Sequence, residues 1–340
     1  MNIVLLAPNW LGDAVLALPS IEDVRRASAG ARVAVAARRS VAELFRLVPS
    51  VDEVLAFESD ARWWRRSAFR ADRAALARFD RAILLPNSFQ AAWLVKSAGV
   101  AERWGYASDA RSRLLTRAVP RVKGGHQAEY YQRLTTALGF PPGSLVPRID
   151  TGDAARAEAH DLVAAHGHVP GAPLFVFAPG AAYGKAKQWL PAHVATLMSR
   201  LGRERGASCV MVGSRGDAST ASTISRLVGE LPTGRVIDLV GRTSLGALAA
   251  LLSIADACVC NDSGAMHLAA AVGTRVVATF GPTNEHATRP LSDVEGQTSV
   301  LTHDVWCRPC MLRECPIDHR CMRDLSPDRV FAEVAGVLPS

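Results

Sequence analysis

The sequence predicts an α/β protein with two doubly wound halves, each a parallel sheet covered by helices. Three observations predict it. Short apolar runs alternate with helix-length segments along most of the chain, and the order β-α-β-α gives a parallel sheet covered on both faces. Loops rich in Gly, Pro, Asn and Ser follow many of the apolar runs, as where a strand hands over to a helix. Two Pro- and Gly-rich stretches, Pro141–Pro147 and Pro170–Pro173, break the alternation and place a domain change between about 150 and 172. At 340 residues the chain can give each of two domains its own core.

In the first half a strand over Asn2–Ala7 leads into a loop with Gly12-Asp13 and a helical stretch to about Arg26. Arg32–Ala37 reads as a strand, Val41–Leu47 as a short helix and Val54–Ala56 as a weak strand. Ala61–Arg78 reads as one long basic helix, with Trp63, Trp64, Phe69 and Ala74–Leu76 able to face the sheet. Arg81–Leu85 is a strand ending at Pro86-Asn87-Ser88, where Ser88 can cap a helix through Lys96. Ala154–His166 is helical. In the second half Leu174–Ala178, Cys209–Val212, Val236–Leu239, Ala257–Cys260 and Arg275–Phe280 read as strands. Helices are expected from Pro191, over Leu245–Ser253 and Ser263–Val272, and finally from about Pro327.

The composition is that of a soluble globular protein: 49% of residues are hydrophobic and 21% charged. No segment reaches the roughly 18 consecutive apolar residues of a membrane helix. No Lys or Arg precedes NIVLLA, and Pro8-Asn9 cuts it short, so it reads as a strand and not a signal peptide. A cytoplasmic location is expected. The net charge of +7 suits phosphate or carboxylate partners, although charge alone is better explained by a solvated basic surface.

In open α/β sheets, ligands bind beyond the carboxyl ends of strands, so the strand-to-helix loops are the candidate site segments. PNWLGDAV carries Gly12, which permits a tight turn, and Asp13 at a helix start. Asp13 alone fits a helix-terminal acid worth about 1 kcal/mol better than it fits a general base. APGAAYGKAKQWLP carries Gly180, which lets backbone approach a ligand, and two compact cations, Lys185 and Lys187. It is a poor match to the Walker pattern. In NDSGAMHLAAA, Asp262 or Ser263 can cap a helix whose amides, left open by Gly264, favour phosphate. His267 lies one turn in, and Asp262 suits sugar or ribose hydroxyls. FGPTNEHATRP brings Thr283 and Asn284, although a turn explains them equally well. Arg62, Arg65, Arg66, Arg70 and Arg73 form either a solvated helix face or an anion-binding surface.

Together, PNWLGDAVLALP, LLPNSFQAAWLVKSAGVAERWGY, APGAAYGKAKQWLP and NDSGAMHLAAAVGTRVVATFGPTNE resemble the ADP-heptose:lipopolysaccharide heptosyltransferases, glycosyltransferase family 9. The terminal CRPCMLRECPIDHRCM fits as well, and PNWLGD and LPNSF most resemble the branch that adds the second heptose. The resemblance runs in order over nearly the whole chain. It implies the GT-B fold, two Rossmann-like domains facing across a cleft. Residues 1–160 would take the acceptor, 170–325 the ADP-sugar, and 326–340 would form a helix crossing back to the first domain.

The implied reaction is an inverting transfer of L-glycero-D-manno-heptose from ADP-heptose to the first heptose of the lipopolysaccharide inner core. Asp13 would be the base, and Lys187 would offset charge on the departing diphosphate. Asp262 would bind donor hydroxyls, while Ser263, Gly264 and His267 would hold the diphosphate, with Gly180, Lys185 and Thr283 beside them. Acceptor contacts would come from Asn9, Gly12, Asn87, Ser88, Arg62, Arg65, Arg66, Lys96, Arg111 and Arg113. No cofactor or metal is required for the chemistry. The acceptor, heptosyl-Kdo-lipid A, would be met at the inner face of the cytoplasmic membrane by a cytoplasmic, peripheral enzyme without a transmembrane segment. No nucleic acid is implied.

Cys209, Cys258 and Cys260 lie in apolar runs and read as core. Cys307, Cys310, Cys315 and Cys321, with His303 and His319 nearby, have a spacing that allows a tetrahedral structural zinc site, against which stand reduced thiols or a local disulfide. Three other functions compete. One is heptosyltransferase I or another ADP- or UDP-sugar transferase of the family. Another is a nucleotide-sugar 2-epimerase of the same architecture, which needs several acid–base carboxylates where one is evident. The last is a non-catalytic nucleotide- or nucleic-acid-binding module, for which no zinc-finger or RRM signature is present.

Overall fold

The computed structural model describes residues 1–58, 64–231 and 234–336. The chain divides into two compact units, Met1–Ile149 and Asp150–Ser340.

The first unit runs β1 (Asn2–Leu6), α1 (Leu11–Leu16), α2 (Leu18–Ala27), β2 (Arg32–Arg38), α3 (Arg39–Arg46) and β3 (Glu53–Phe57). It continues with α4 (Arg66–Leu76), β4 (Arg81–Leu84), α5 (Phe89–Ser97), β5 (Glu102–Ala107), β6 (Arg117–Pro120) and α6 (Gln127–Ala137). Its strands form one parallel sheet in the order β3-β2-β1-β4-β5-β6. β1 is central, with Leu5 registered against Val35 on one side and Ile83 on the other. Ile3, Val4 and Leu5 are fully buried, as a strand covered on both faces requires.

The second unit runs α7 (Gly152–Ala165), β7 (Leu174–Ala178), α8 (Pro191–Arg205), β8 (Ser208–Met211), α9 (Ala218–Val228), β9 (Arg235–Asp238) and α10 (Leu245–Ser253). Then come β10 (Ala257–Asn261), α11 (Gly264–Ala271), β11 (Arg275–Phe280), α12 (Glu285–Thr288), β12 (Thr298–Thr302), α13 (Arg320–Arg323) and α14 (Pro327–Ala335). Its parallel sheet has the order β12-β11-β10-β7-β8-β9, the same winding as the first read from the opposite edge. A core of Phe175, Phe177, Trp189, Met198 and Leu201 fills the space under α8. The last helix, α14, packs on α8 and β11.

Three expectations change. The basic helix is shorter than Ala61–Arg78: α4 starts at Arg66, and Arg62 and Trp63 lie outside the described residues. Of its apolar positions, Leu76 is buried and Phe69 packs on the core, but Trp64 is exposed. The first helical stretch is two helices, α1 and α2, meeting at Ala17; Pro19 sits in the opening turn of α2, where a missing N–H costs least. Among the described residues no helix is long and apolar enough to cross a membrane.

Candidate active site

In each sheet the winding reverses at one place, and ligands of open α/β sheets bind beyond the carboxyl ends of the two strands that meet there. In the first unit that place lies between β1 and β4. The β1–α1 loop delivers Asp13 as the third residue of α1, half-buried and acidic at a helix N-terminus. The Tyr131 hydroxyl, on α6, donates to Asp13 Oδ1 at 3.2 Å. Burial, reinforced by the Asp13 charge, pushes the Tyr131 phenol well above its ordinary range. It therefore stays protonated and can only donate to the carboxylate. Nothing local in the sequence marks Tyr131; α6 must first be placed beside α1. Gly12 lies within the first turn of α1 without a positive φ, so the backbone there does not use a glycine's extra freedom.

A cavity of about 480 Å³ opens over the ends of β1, β2, β3 and β4. Asn9, Arg38, Phe57, Trp64, Ser88 and Gln90 are among the residues lining it. Ser88 also caps α5, accepting from Ala91 N at 3.3 Å, as expected. Arg65, Arg66, Lys96 and Arg113 are exposed.

One expected acceptor contact, Arg111, is instead internal. Arg111 is fully buried. Its Nε donates to the Tyr106 carbonyl at 3.0 Å, and its other nitrogens reach the Pro86 carbonyl and Asn87 Oδ1. Burial lowers its pKa to about 10, so it remains charged at neutral pH. Asn87 in turn donates to the Tyr130 hydroxyl at 2.7 Å. Together they fix the β4–α5 loop from beneath, because a buried guanidinium needs acceptors for its donors.

In the second unit the reversal lies between β7 and β10. The loop after β7 carries Lys187, and the loop after β10 carries Asp262. Lys187 Nζ and Asp262 Oδ2 pair at 2.6 Å, with side-chain exposures of 14% and 6%. The Thr283 hydroxyl, from the loop after β11, donates to the same Oδ2 at 2.7 Å. Three strand-end loops thus meet on one carboxylate oxygen. Asn261, which the motif reading overlooked, ties two of them more tightly. Its Nδ2 donates to the Pro179 carbonyl at 2.8 Å, and its Oδ1 accepts from Trp189 N at 2.9 Å and Thr279 Oγ1 at 3.0 Å.

Ser263 occupies the N-cap position of α11 but makes no capping bond. Its buried hydroxyl has no hydrogen-bond partner among the described residues, and Asp262 is engaged by Lys187 and Thr283. The expected cap is therefore not made. Gly264 begins α11, and His267, in the same helix, is buried. Lys185 is exposed. Gly180 is needed for an internal reason: a Cβ there would collide with the Asp217 carboxylate.

The zinc expectation is corrected. Among the described residues no three His, Cys, Asp or Glu side chains converge as metal ligands do. All four C-terminal cysteines are free. Cys310 is exposed, Cys315 Sγ accepts the His319 N–H at 3.3 Å, and His319 Nε2 lies 2.7 Å from the Ala186 carbonyl. Burial, with the other three thiols nearby, pushes the Cys321 thiol up.

Two doubly wound units, each with polar loops gathered at its switch point, have the architecture of the GT-B class. Residues 69–320 match glycosyltransferase family 9 (heptosyltransferase), and the chain belongs to that family. It is a glycosyltransferase, which sets aside the epimerase and the non-catalytic module. It is 27% identical to lipopolysaccharide heptosyltransferase 2 of Escherichia coli strain K12, over 99% of both chains. It is 28% identical to lipopolysaccharide heptosyltransferase 1 of Pseudomonas aeruginosa, covering 99% of this chain and 98% of the other. The solved structure of the Escherichia coli ADP-heptose heptosyltransferase II superposes with a TM-score of 0.81 at 27% identity, covering 99% and 98% of the two chains.

Proposed function

We propose that this chain is the second heptosyltransferase of the lipopolysaccharide inner core, moving L-glycero-D-manno-heptose from ADP-heptose to the first core heptose. The full-length similarity to heptosyltransferase 2 supports the substrates. The observation that carries the donor side is the junction of Lys187, Asp262 and Thr283 at the second switch point.

In this reading an acceptor hydroxyl attacks C1 of the donor heptose while the bond from C1 to the diphosphate oxygen breaks. Asp13 takes the hydroxyl proton, its carboxylate aimed by Tyr131. C1 inverts, and ADP leaves as an anion that needs no protein acid. Lys187, fixed by Asp262, faces the diphosphate and stabilises its growing charge. Asp262 thus serves as the anchor of Lys187 and Thr283, in place of the sugar contact first expected. The Ser263 hydroxyl and the opening amides of α11 receive phosphate oxygens, with Gly264 and His267 in the same helix and Lys185 and Gly180 on the facing loop.

The 480 Å³ cavity takes the acceptor sugar, through Asn9, Ser88 and Gln90. The face of α4 and α5 meets the anionic part of the acceptor and the cytoplasmic membrane surface. It exposes Arg65, Arg66, Arg70, Arg73 and Lys96, together with Phe89 and Trp93, while its one acid, Asp72, is buried. Exposed cations beside interfacial aromatics suit such a surface.

Purified enzyme is tested with ADP-heptose and two acceptors, Kdo–lipid A with and without its first heptose. ADP release with the heptosylated acceptor alone is expected. Preference for the bare acceptor would make the chain a first heptosyltransferase.

A further inference from the structure

The segment between β12 and α13 is long, irregular and cysteine-rich, and transfer chemistry gives it no role. It is nevertheless bonded to the loop that carries Lys187 at several points. Ala186, the residue before Lys187, donates its N–H to the Arg313 carbonyl at 2.9 Å. The Ala186 carbonyl accepts from His319 Nε2 at 2.7 Å. The Tyr183 hydroxyl donates to the Met311 carbonyl at 2.8 Å, and the Arg313 guanidinium lies 5.1 Å from the Tyr183 ring centre. At Gly184 the backbone has φ +159°, and any Cβ would collide with the Arg313 carbonyl. The same segment grips the loop after β11, because Met311 N donates to the Pro282 carbonyl at 2.9 Å and Arg308 Nε to the Gly281 carbonyl at 2.7 Å. Two of the three loops that meet on Asp262 are thus held from one strap.

His319 is held at both its backbone and its ring. Its backbone is left-handed, φ 57°, a conformation disfavoured for a residue with a Cβ and kept only where the surroundings hold it. Its N–H is held by Cys315 Sγ. Its ring lines a small cavity with Ala186 and all four C-terminal cysteines. A carbonyl can only accept, so Nε2 carries the proton that Ala186 receives.

We infer that His319 is a positioning residue for donor binding: through the Ala186 carbonyl it sets the short turn that aims Lys187, and the cysteine-rich segment is the brace that holds His319. The inference rests on the reading of Lys187 as the diphosphate contact.

The test uses the full-length enzyme with ADP and ADP-heptose. His319→Ala is expected to raise the KM for ADP-heptose and the Kd for ADP at least fivefold, leaving the acceptor KM within twofold. His319→Gln, which keeps an N–H at similar reach, restores most of the loss. In a Lys187→Ala background, His319→Ala adds little, because both act through one ammonium. Should His319→Ala fold poorly, Tyr183→Phe removes a different bond of the strap and is expected to raise the ADP Kd about twofold. Native ADP affinity in the His319 and Tyr183 variants overturns the inference. So does full additivity with Lys187→Ala, or a loss that strikes both substrates equally and that Gln does not rescue. Unchanged ADP affinity in Lys187→Ala itself would instead overturn the reading beneath it.

Discussion

At the scale of single residues, the site depends on how each charge is held. Tyr131 cannot ionise in the working pH range and has Asp13 as its acceptor, so it fixes the carboxylate without taking its proton. Asp13→Asn is expected to lower kcat at least about 100-fold, the usual contribution of a general base, with ADP affinity unchanged by calorimetry. Tyr131→Phe should lower kcat by about tenfold, the equivalent of about 1.4 kcal/mol for one directed hydrogen bond. Near-native turnover in Asp13→Asn would remove the base assignment, and in Tyr131→Phe the aiming role. The Lys187–Asp262 pair calls for a different comparison. Removing the lysine alone leaves a carboxylate that is 6% exposed without its cation and should destabilise the fold by about 3 kcal/mol. Lys187→Met combined with Asp262→Asn should regain most of that stability in urea titrations and none of the activity. If the double variant is no more stable than Lys187→Met, the pair is not the coupled unit its geometry implies.

At the scale of elements, Asn261 joins β10 to the long loop between β7 and α8, because one side chain meets both the Pro179 carbonyl and Trp189 N. Asn261→Ala strands these buried backbone groups, while the Thr279 hydroxyl keeps the Cys260 carbonyl, at a cost of about 3 kcal/mol by the usual penalty for unmade buried bonds. A drop in the urea midpoint with an unchanged slope checks it; an unaltered midpoint refutes it. This residue also shows where sequence reading stopped. Central strands such as Leu174–Ala178 and Arg275–Phe280 are apolar runs between turn residues, and they are legible for that reason. Glu102–Ala107 and Arg117–Pro120 are strands at or next to the sheet edge, each carrying an Arg and, in one case, ending in Pro, so no buried run announces them. The loop glycines and lysines were legible as a class, but their partners were not. Gly180 faces Asp217, Asp262 holds Lys187, and Arg111 lies under the β4–α5 loop. Each pairing joins residues far apart in sequence, and only the winding of the sheet brings them together.

At the scale of the whole molecule, each unit buries its own core, and its stability responds to pH through groups whose protonation differs between folded and unfolded chains. In the second unit His193 packs edge-on against Trp189 with ring centres 5.5 Å apart. Burial lowers its pKa from 6.5, with Asp324 pulling weakly the other way. His168 is lowered as well, by burial first and then by His160. In each case the unfolded chain binds the proton more readily. Stability contributed by these groups is therefore complete above about pH 7 and is lost as pH falls through 6.5 towards the folded pKa. Glu22, in the first unit, acts with the opposite sign. Burial raises its pKa from 4.5, so its contribution is present at acid pH and lost as pH rises through the raised value. Asp150 is lowered from 3.8 by the Gly152 N–H and then Arg156, Asp318 by Arg320 and Asp324 by Arg323, and all three act only in more acid solution. Between pH 7 and 5 the histidines are therefore expected to set the fall in stability of the second unit. The double variant His168→Gln/His193→Gln should show a visibly flatter dependence of Tm on pH across that window than the parent protein, with the two curves parallel above pH 7. Equal slopes between pH 5 and 7 would show that neither histidine is held neutral by the fold.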